Sequence, residues 1–153
     1  MDKLERLHDH VWKRGIHIVN TRFSKTKKAA CMGKEYKNII LDKSAIESKA
    51  EEGILLVEEL GHYETEGLFI MEADANSPFA RMNRGKQETK VRHFSYKTYL
   101  TVSEIQRAAE WCGKDDWAIA EYCGVPLYFL RDAIEYYRSC GVVFNFYSEI
   151  DCP

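Results

Sequence analysis

No apolar stretch in this sequence approaches the roughly 20 residues that a membrane-spanning helix needs. A large excess of either charge is also missing: 22 basic residues stand against 24 acidic ones, for a formal net charge of −2. That balance excludes a generic electropositive nucleic-acid binder and an acidic disordered tail. The first residues, Met1 to Arg6, lack the apolar core of a signal peptide, so the expectation is a cytoplasmic protein with no membrane partner. Cysteine occurs five times, at positions 31, 112, 123, 140 and 152, an odd number without any C-x-x-C pair. A secreted disulfide framework is even and denser. The thiols are therefore expected to be reduced, mostly small packing residues, with Cys152 in a free tail. Repeats and low-complexity segments are absent. What remains is 153 residues, 45% hydrophobic and 12% aromatic, enough for one compact domain or a domain with a small helical appendage.

Local patterns divide the chain. Leu4, Leu7, Val11 and Trp12 have helical spacing over residues 3 to 14, and Gly15 ends that helix. Ile16, Ile18 and Phe23 alternate with polar neighbours as in a strand, and a basic loop follows from Arg22 to Lys28. Two short apolar segments, Ala29 to Met32 and Asn38 to Leu41, flank a Gly33-containing turn and read as a β-hairpin. Ser44 and Glu47 have capping-box spacing and are expected to open a long helix over about 45 to 64. Ile46, Ala50, Gly53, Ile54, Val57 and Gly61 would give that helix its core face. Residues 65 to 84 carry Gly67, Asp74, Asn76 and Pro78, with Gly85 just beyond, and are expected to be an irregular loop, either functional or mobile, whose length and breakers invite the idea of a lid. A second long helix is expected over 86 to 100. Three short ones follow, Ser103 to Cys112 (with Ser103 and Gln106 as a second box), Asp116 to Cys123 and Pro126 to Ser139, each with a glycine just beyond it. The domain boundary is expected near residue 101, giving units of 1–101 and 102–153.

The chemistry concentrates in the first long helix, in Val57-Glu58-Glu59-Leu60-Gly61-His62-Tyr63. Glu58 and His62 are four residues apart and share a helix face, while Glu59 is offset by about 100°. This is the geometry of H-E-x-x-H, where two ligands hold zinc and the intervening glutamate is the general base, with glutamate in the first ligand position. The same spacing is common on solvated helix faces. The flanking Ile54, Leu55, Leu56 and Leu60 favour burial, and carboxylates in an apolar segment are costly unless an ion or a partner satisfies them.

The run Ile39-Ile40-Leu41-Asp42 followed by Glu58-Glu59-Leu60-Gly61-His62-Tyr63-Glu64-Thr65 resembles the ImmA/IrrE metallopeptidases, specifically the small members of phages and mobile elements. The likeness continues through Gln87-Glu88 to Tyr96, similar to that family's third-ligand helix, and through Ala120-Glu121-Tyr122, Gly124-Val125-Pro126 and Ala133 to Tyr137 in the tail. The resemblance implies an α+β fold with a zincin-like minimal core: an N-terminal helix, a small antiparallel sheet and two long site-bearing helices. A C-terminal, helix-turn-helix-like bundle would follow. It further implies Glu58, His62 and Glu88 as metal ligands and Glu59 as the residue that activates the attacking water. The activity implied is that of a Zn²⁺ endopeptidase that cleaves a repressor-type regulatory protein. Glu58, Val91 and Phe94 depart from the family's histidine, alanine and tryptophan. A more anionic ligand set shifts preference toward harder ions such as Mn²⁺. His93 is an alternative ligand or a histidine on an exposed helix face; Tyr63 is a candidate donor to the reacting carbonyl or a packing residue.

Asp116 to Leu130 fits a helix-turn-helix register, with small Ala120, Gly124 in the turn and Leu130 beyond. As a DNA reader it is poor, because Arg131 and Arg138 are set against Asp132 and Glu135. Tyr128, Phe129, Tyr136 and Tyr137 instead form a packing or protein-docking set. DNA is thus the secondary expectation, carried by a non-catalytic alternative in which these helices bind a repressor or DNA. A basic stripe, Arg81, Arg84, Lys86, Lys90, Arg92 and Lys97, is either a solvated face or a contact for an acidic partner or substrate segment.

Overall fold

The computed structural model describes residues 1–23, 27–65 and 78–146, with side chains in the last stretch from Arg81 onward. It is a mixed α+β structure, with seven helices and a three-stranded sheet among the described residues. The chain divides into two compact units, Met1–Ser95 and Tyr96–Pro153.

In the first unit, α1 (Lys3–Lys13) begins with a capping box that the sequence reading passed over. The Asp2 carboxylate accepts from the Glu5 N–H, and the Glu5 carboxylate accepts from the Asp2 N–H. Leu7 and Val11 are buried as expected, but Trp12 is 67% exposed and meets His17 edge to face. The strands are β1 (His17–Asn20), β2 (Ala29–Cys31) and β3 (Asn38–Leu41). β2 and β3 pair antiparallel as the hairpin pattern predicts, although one helical turn, α2 (Gly33–Tyr36), and left-handed Lys37 connect them. The sheet as a whole is not antiparallel. Its order is β1-β3-β2, and β1 runs parallel to β3, with the β2 arm serving as the crossover. The physical reason lies in β3, whose Ile39-Ile40-Leu41 run is the most apolar of the three strands and takes the central place, leaving the more polar β1 at an edge.

α3 (Lys49–Thr65) starts four residues later than the Ser44 box implies. Asp42 accounts for the difference: its carboxylate accepts from both the N–H and the hydroxyl of Ser44, removing that serine from capping. The cap passes to Ser48, whose hydroxyl accepts from the Glu51 N–H, while Glu51 reaches back to the Glu47 N–H. Gly53, Ile54, Leu56, Val57, Leu60 and Gly61 are buried, and α3 packs on α1, β2 and β3. Ile46 lies before the helix and takes no part in its face.

Asp42 is only 5% exposed and also accepts from the Phe23 N–H at 3.0 Å. The Ser44 hydroxyl, then the Phe23 N–H, hold its carboxyl below the ordinary value of 3.8, against the opposing effect of burial. A depressed carboxyl stabilises the fold above its unfolded pKa and loses that contribution as pH falls through the folded one. Asp42→Asn should therefore melt below wild type near neutrality, and the gap should close as pH falls below 3.8. A gap independent of pH would contradict this role.

α4 (Pro78–Tyr99) begins well before residue 86. Pro78 opens it, where a missing N–H costs nothing, and Gly85 lies inside it rather than breaking it. The expected irregular segment therefore shrinks at its C-terminal end; the proposed lid residues 66–77 lie outside the described residues.

The second unit holds α5 (Val102–Cys112), α6 (Asp116–Cys123) and α7 (Leu127–Ser139). The box at α5 is Thr101 with Glu104, two residues before the Ser103/Gln106 pair expected. Gly113 and Gly124 cap α5 and α6, both at positive φ. Leu100, Ile105, Ala108, Ile119, Leu130 and Ile134 form the core of this unit. The buried Tyr137 hydroxyl is placed against the Tyr96 and Leu100 carbonyls at 3.2 and 2.9 Å at the end of α4, where the Tyr96 carbonyl also accepts from the Leu100 N–H. Burial pushes this phenol up to about 12. Tyr137→Phe should cost about 1–3 kcal/mol, because these buried carbonyls lose a donor; a melt unchanged from wild type would show that the hydroxyl contributes nothing there. Cys31, Cys112, Cys123 and Cys140 are not in disulfides, and Cys152 lies outside the described residues.

Candidate metal centre

The site is built on α3 and on the part of α4 within the first unit. Helical phase puts Glu58, Glu59 and His62 on one side of α3, within about 100° of arc. The opposite side, with Leu56, Val57 and Leu60, is fully buried and fixes the helix. Gly61 sets the approach of α4. A Cβ there would lie 3.0 Å from Val91 Cγ1, 3.2 Å from Phe94 Cδ1 and 3.4 Å from the Val91 carbonyl oxygen. The two helices can cross this closely only where that side chain is missing. One turn before Val91, the crossing brings Glu88 to His62: Oε1 lies 3.9 Å from Nε2, within ion-pair reach but beyond a hydrogen bond. Both side chains remain open to solvent, 38% and 55% exposed respectively.

The electrostatics are those of crowded carboxylates. Burial pushes the Glu58 carboxyl up, and the charges of Glu59 and Glu88 push it the same way; His62 and Arg92 oppose them. Glu59 is raised by burial and by Glu88, against the pull of His62, Lys27 and the Cys31 N–H. The direction of that N–H follows from strand geometry. The Met32 N–H is paired with the Asn38 carbonyl, so the neighbouring Cys31 N–H points off the free edge of β2, toward α3. Cys31 itself is raised, by burial first and also by the Glu59 charge, which leaves its thiol protonated and inert.

Of the predicted residues, Glu58, Glu59, His62 and Glu88 are thus neighbours. Among the described residues, no three His, Cys, Asp or Glu side chains converge tightly enough to grip an ion as they stand. The donor chemistry nevertheless suits a divalent cation: one imidazole and carboxylates whose charge is penalised by burial and by one another, which a cation would relieve. His93 is five residues past Glu88, about 140° around α4 and off the site face. Tyr63 is half-buried on α3, one position past His62. Gly61 and the Cys31 N–H are the structural members that residue spacing did not single out as part of the site. Only Gly61 gave a signal, as a glycine inside an apolar helix face.

In the second unit, α6 and α7 flank the Gly124 turn, and Ala120 and Leu130 are buried. Arg131, one of the two arginines on the second helix of that pair, is tied to Asp116 at 3.2 Å. Trp111, Trp117, Tyr122 and Tyr128 are exposed there. No helix of the described residues is long and apolar enough to cross a membrane. Compared with protein-family profiles, with curated proteins and with solved structures, the chain matches none.

Proposed function

We propose that the protein is a metal-dependent endopeptidase similar to the ImmA/IrrE enzymes, with a zincin-like arrangement of α3 and α4 and a repressor-type regulatory protein as substrate. One observation carries the reading: Glu58, Glu59 and His62 share a face of α3, and the Gly61 crossing brings Glu88, 26 positions after His62, to within 3.9 Å of it. Glu58, His62 and Glu88 are the residues that would hold Zn²⁺ or Mn²⁺. When bound, such an ion supplies Lewis acidity to a peptide carbonyl.

The chain's own residues do the rest. Glu59, with its carboxyl raised by burial, is suited to take a proton from the attacking water and return it to the leaving amine. The Cys31 N–H at the edge of β2 favours the charged form of that carboxylate. His62, on the solvent-open side of the helix, leaves room for an extended chain to approach. To test the reading, a proteome-derived peptide library is incubated with the purified protein and a divalent ion, and new N-termini are sequenced. New termini should be produced by wild type and be absent with a chelator or with Glu59→Gln. The same termini from Glu59→Gln would overturn it.

A second reading has its own support. Glu58 occupies the place where the resembled family carries a histidine. The alternative is a non-catalytic regulator that binds a partner repressor through the exposed aromatic residues of α5 to α7. Internal pairing of Arg131 disfavours DNA for that role.

A further inference from the structure

Outside α4, five cations of the first unit are neutralised within the fold. Lys13 pairs with Asp9, Arg14 with Glu64, Lys28 with Glu51, Lys43 with Glu52 and Lys49 with Asp2. α4 breaks this habit. Arg81, Arg84, Lys86, Lys90 and Arg92 are all exposed, and none makes an ion pair among the described residues; Glu88 is the helix's only acidic residue. Three of the five are placed with Glu88. Relative to it, Arg81, Arg84 and Arg92 lie within about 40° around the helix, whereas Lys86 and Lys90 lie on the far side. Arg92 is close enough for its charge to act on Glu58.

We infer that this guanidinium face binds an acidic polypeptide segment and lays it across Glu58, His62 and Glu88, so that the substrate class is a protein carrying carboxylates on both sides of the bond presented there. The placement across the site rests on the peptidase reading; the acidic specificity rests on α4 alone. Arg84 and Arg92 are two turns apart, about 12 Å along the axis. An extended chain covers that span in about four residues, so acidic side chains roughly four positions apart would meet both arginines. Guanidinium groups suit carboxylates through paired N–H donors. Nucleic acid fits this face less well. Its evenly spaced phosphates would have to pass the Glu88, Glu58 and Glu59 side chains, whereas a peptide can place neutral residues there.

The test is an NMR titration of the ¹⁵N-labelled, metal-free full chain at low ionic strength. The probe is a peptide with two glutamates four residues apart, alongside its glutamine counterpart and a thymidine oligonucleotide of equal charge. Amides over 58–62 and 81–92 should shift with the glutamate peptide and not with the glutamine one. Arg84→Gln and Arg92→Gln should each weaken binding about fivefold, and Lys114→Gln in the second unit should leave it unchanged. Shifts elsewhere, no shifts, or an unchanged affinity in the double arginine variant would overturn the inference. Tighter binding of the oligonucleotide at the same amides would overturn it in favour of nucleic acid. Because the readout needs neither metal nor hydrolysis, a failure of the peptidase reading leaves this result interpretable by itself.

Discussion

Glu59→Gln should lower peptide-bond cleavage by about 10²–10⁴-fold, the usual contribution of a positioned acid or base, while leaving metal binding intact. The substitution keeps the shape of the side chain and removes its ability to carry a proton. The same variant should be more stable than wild type in the absence of metal. The sign follows from the direction of the shift. An acid whose folded pKa is raised above its unfolded value of 4.5 binds its proton more tightly in the folded state. Stability then falls as pH rises from 4.5 through the folded value, and a neutral glutamine escapes that loss. The metal-free variant should thus have a higher Tm near neutrality, with the advantage vanishing below 4.5. Retained cleavage, or a lower Tm, would count against Glu59 as a buried and functional carboxylate.

Gly61→Leu should be the most disruptive single change at the site. Val91 Cγ1 stands 3.0 Å from where the first added carbon would lie, and a β-branched side chain inside a helix has one favoured rotamer and little room to yield. Behind it is the Val91 carbonyl, which can move only with the helix. Overpacking of this kind costs about 1–3 kcal/mol, and it must widen the crossing that brings Glu88 to His62. Metal affinity should fall along with Tm. Gly85→Ala is the matched control on α4: nothing lies within 4 Å of its added carbon, so the gain in helix propensity, up to about 1 kcal/mol, should appear as a higher Tm. If Gly61→Leu melts like wild type, the two helices do not depend on that close approach.

Much of the architecture was readable from residue types, and the failures have identifiable causes. The limits of α6 follow from Asp116, Cys123 and Gly124 because a helix between an acidic N-cap region and a glycine has little latitude. The start of α3 was misplaced because Ser44-x-x-Glu47 and Ser48-x-x-Glu51 are the same motif; only the fold shows that Asp42 has already claimed the first serine. The direction of β1 was hidden because parallel pairing depends on which strand takes the centre, a tertiary choice. At the site, Glu58, Glu59 and His62 were legible from helical spacing, and Glu88 only from resemblance. Their juxtaposition depends on Gly61, whose role requires knowing what lies opposite it.

The measurement that bears most directly on the proposal is the metal content of wild type and His62→Ala, purified side by side and analysed by elemental mass spectrometry. The account predicts about one zinc or manganese per wild-type chain and a loss of it in the variant, since His62 is the one neutral donor among carboxylates. Absence of metal from both, persisting after reconstitution with zinc and with manganese, would contradict it and leave the crowded carboxylates of α3 and α4 without the ion that their arrangement suits.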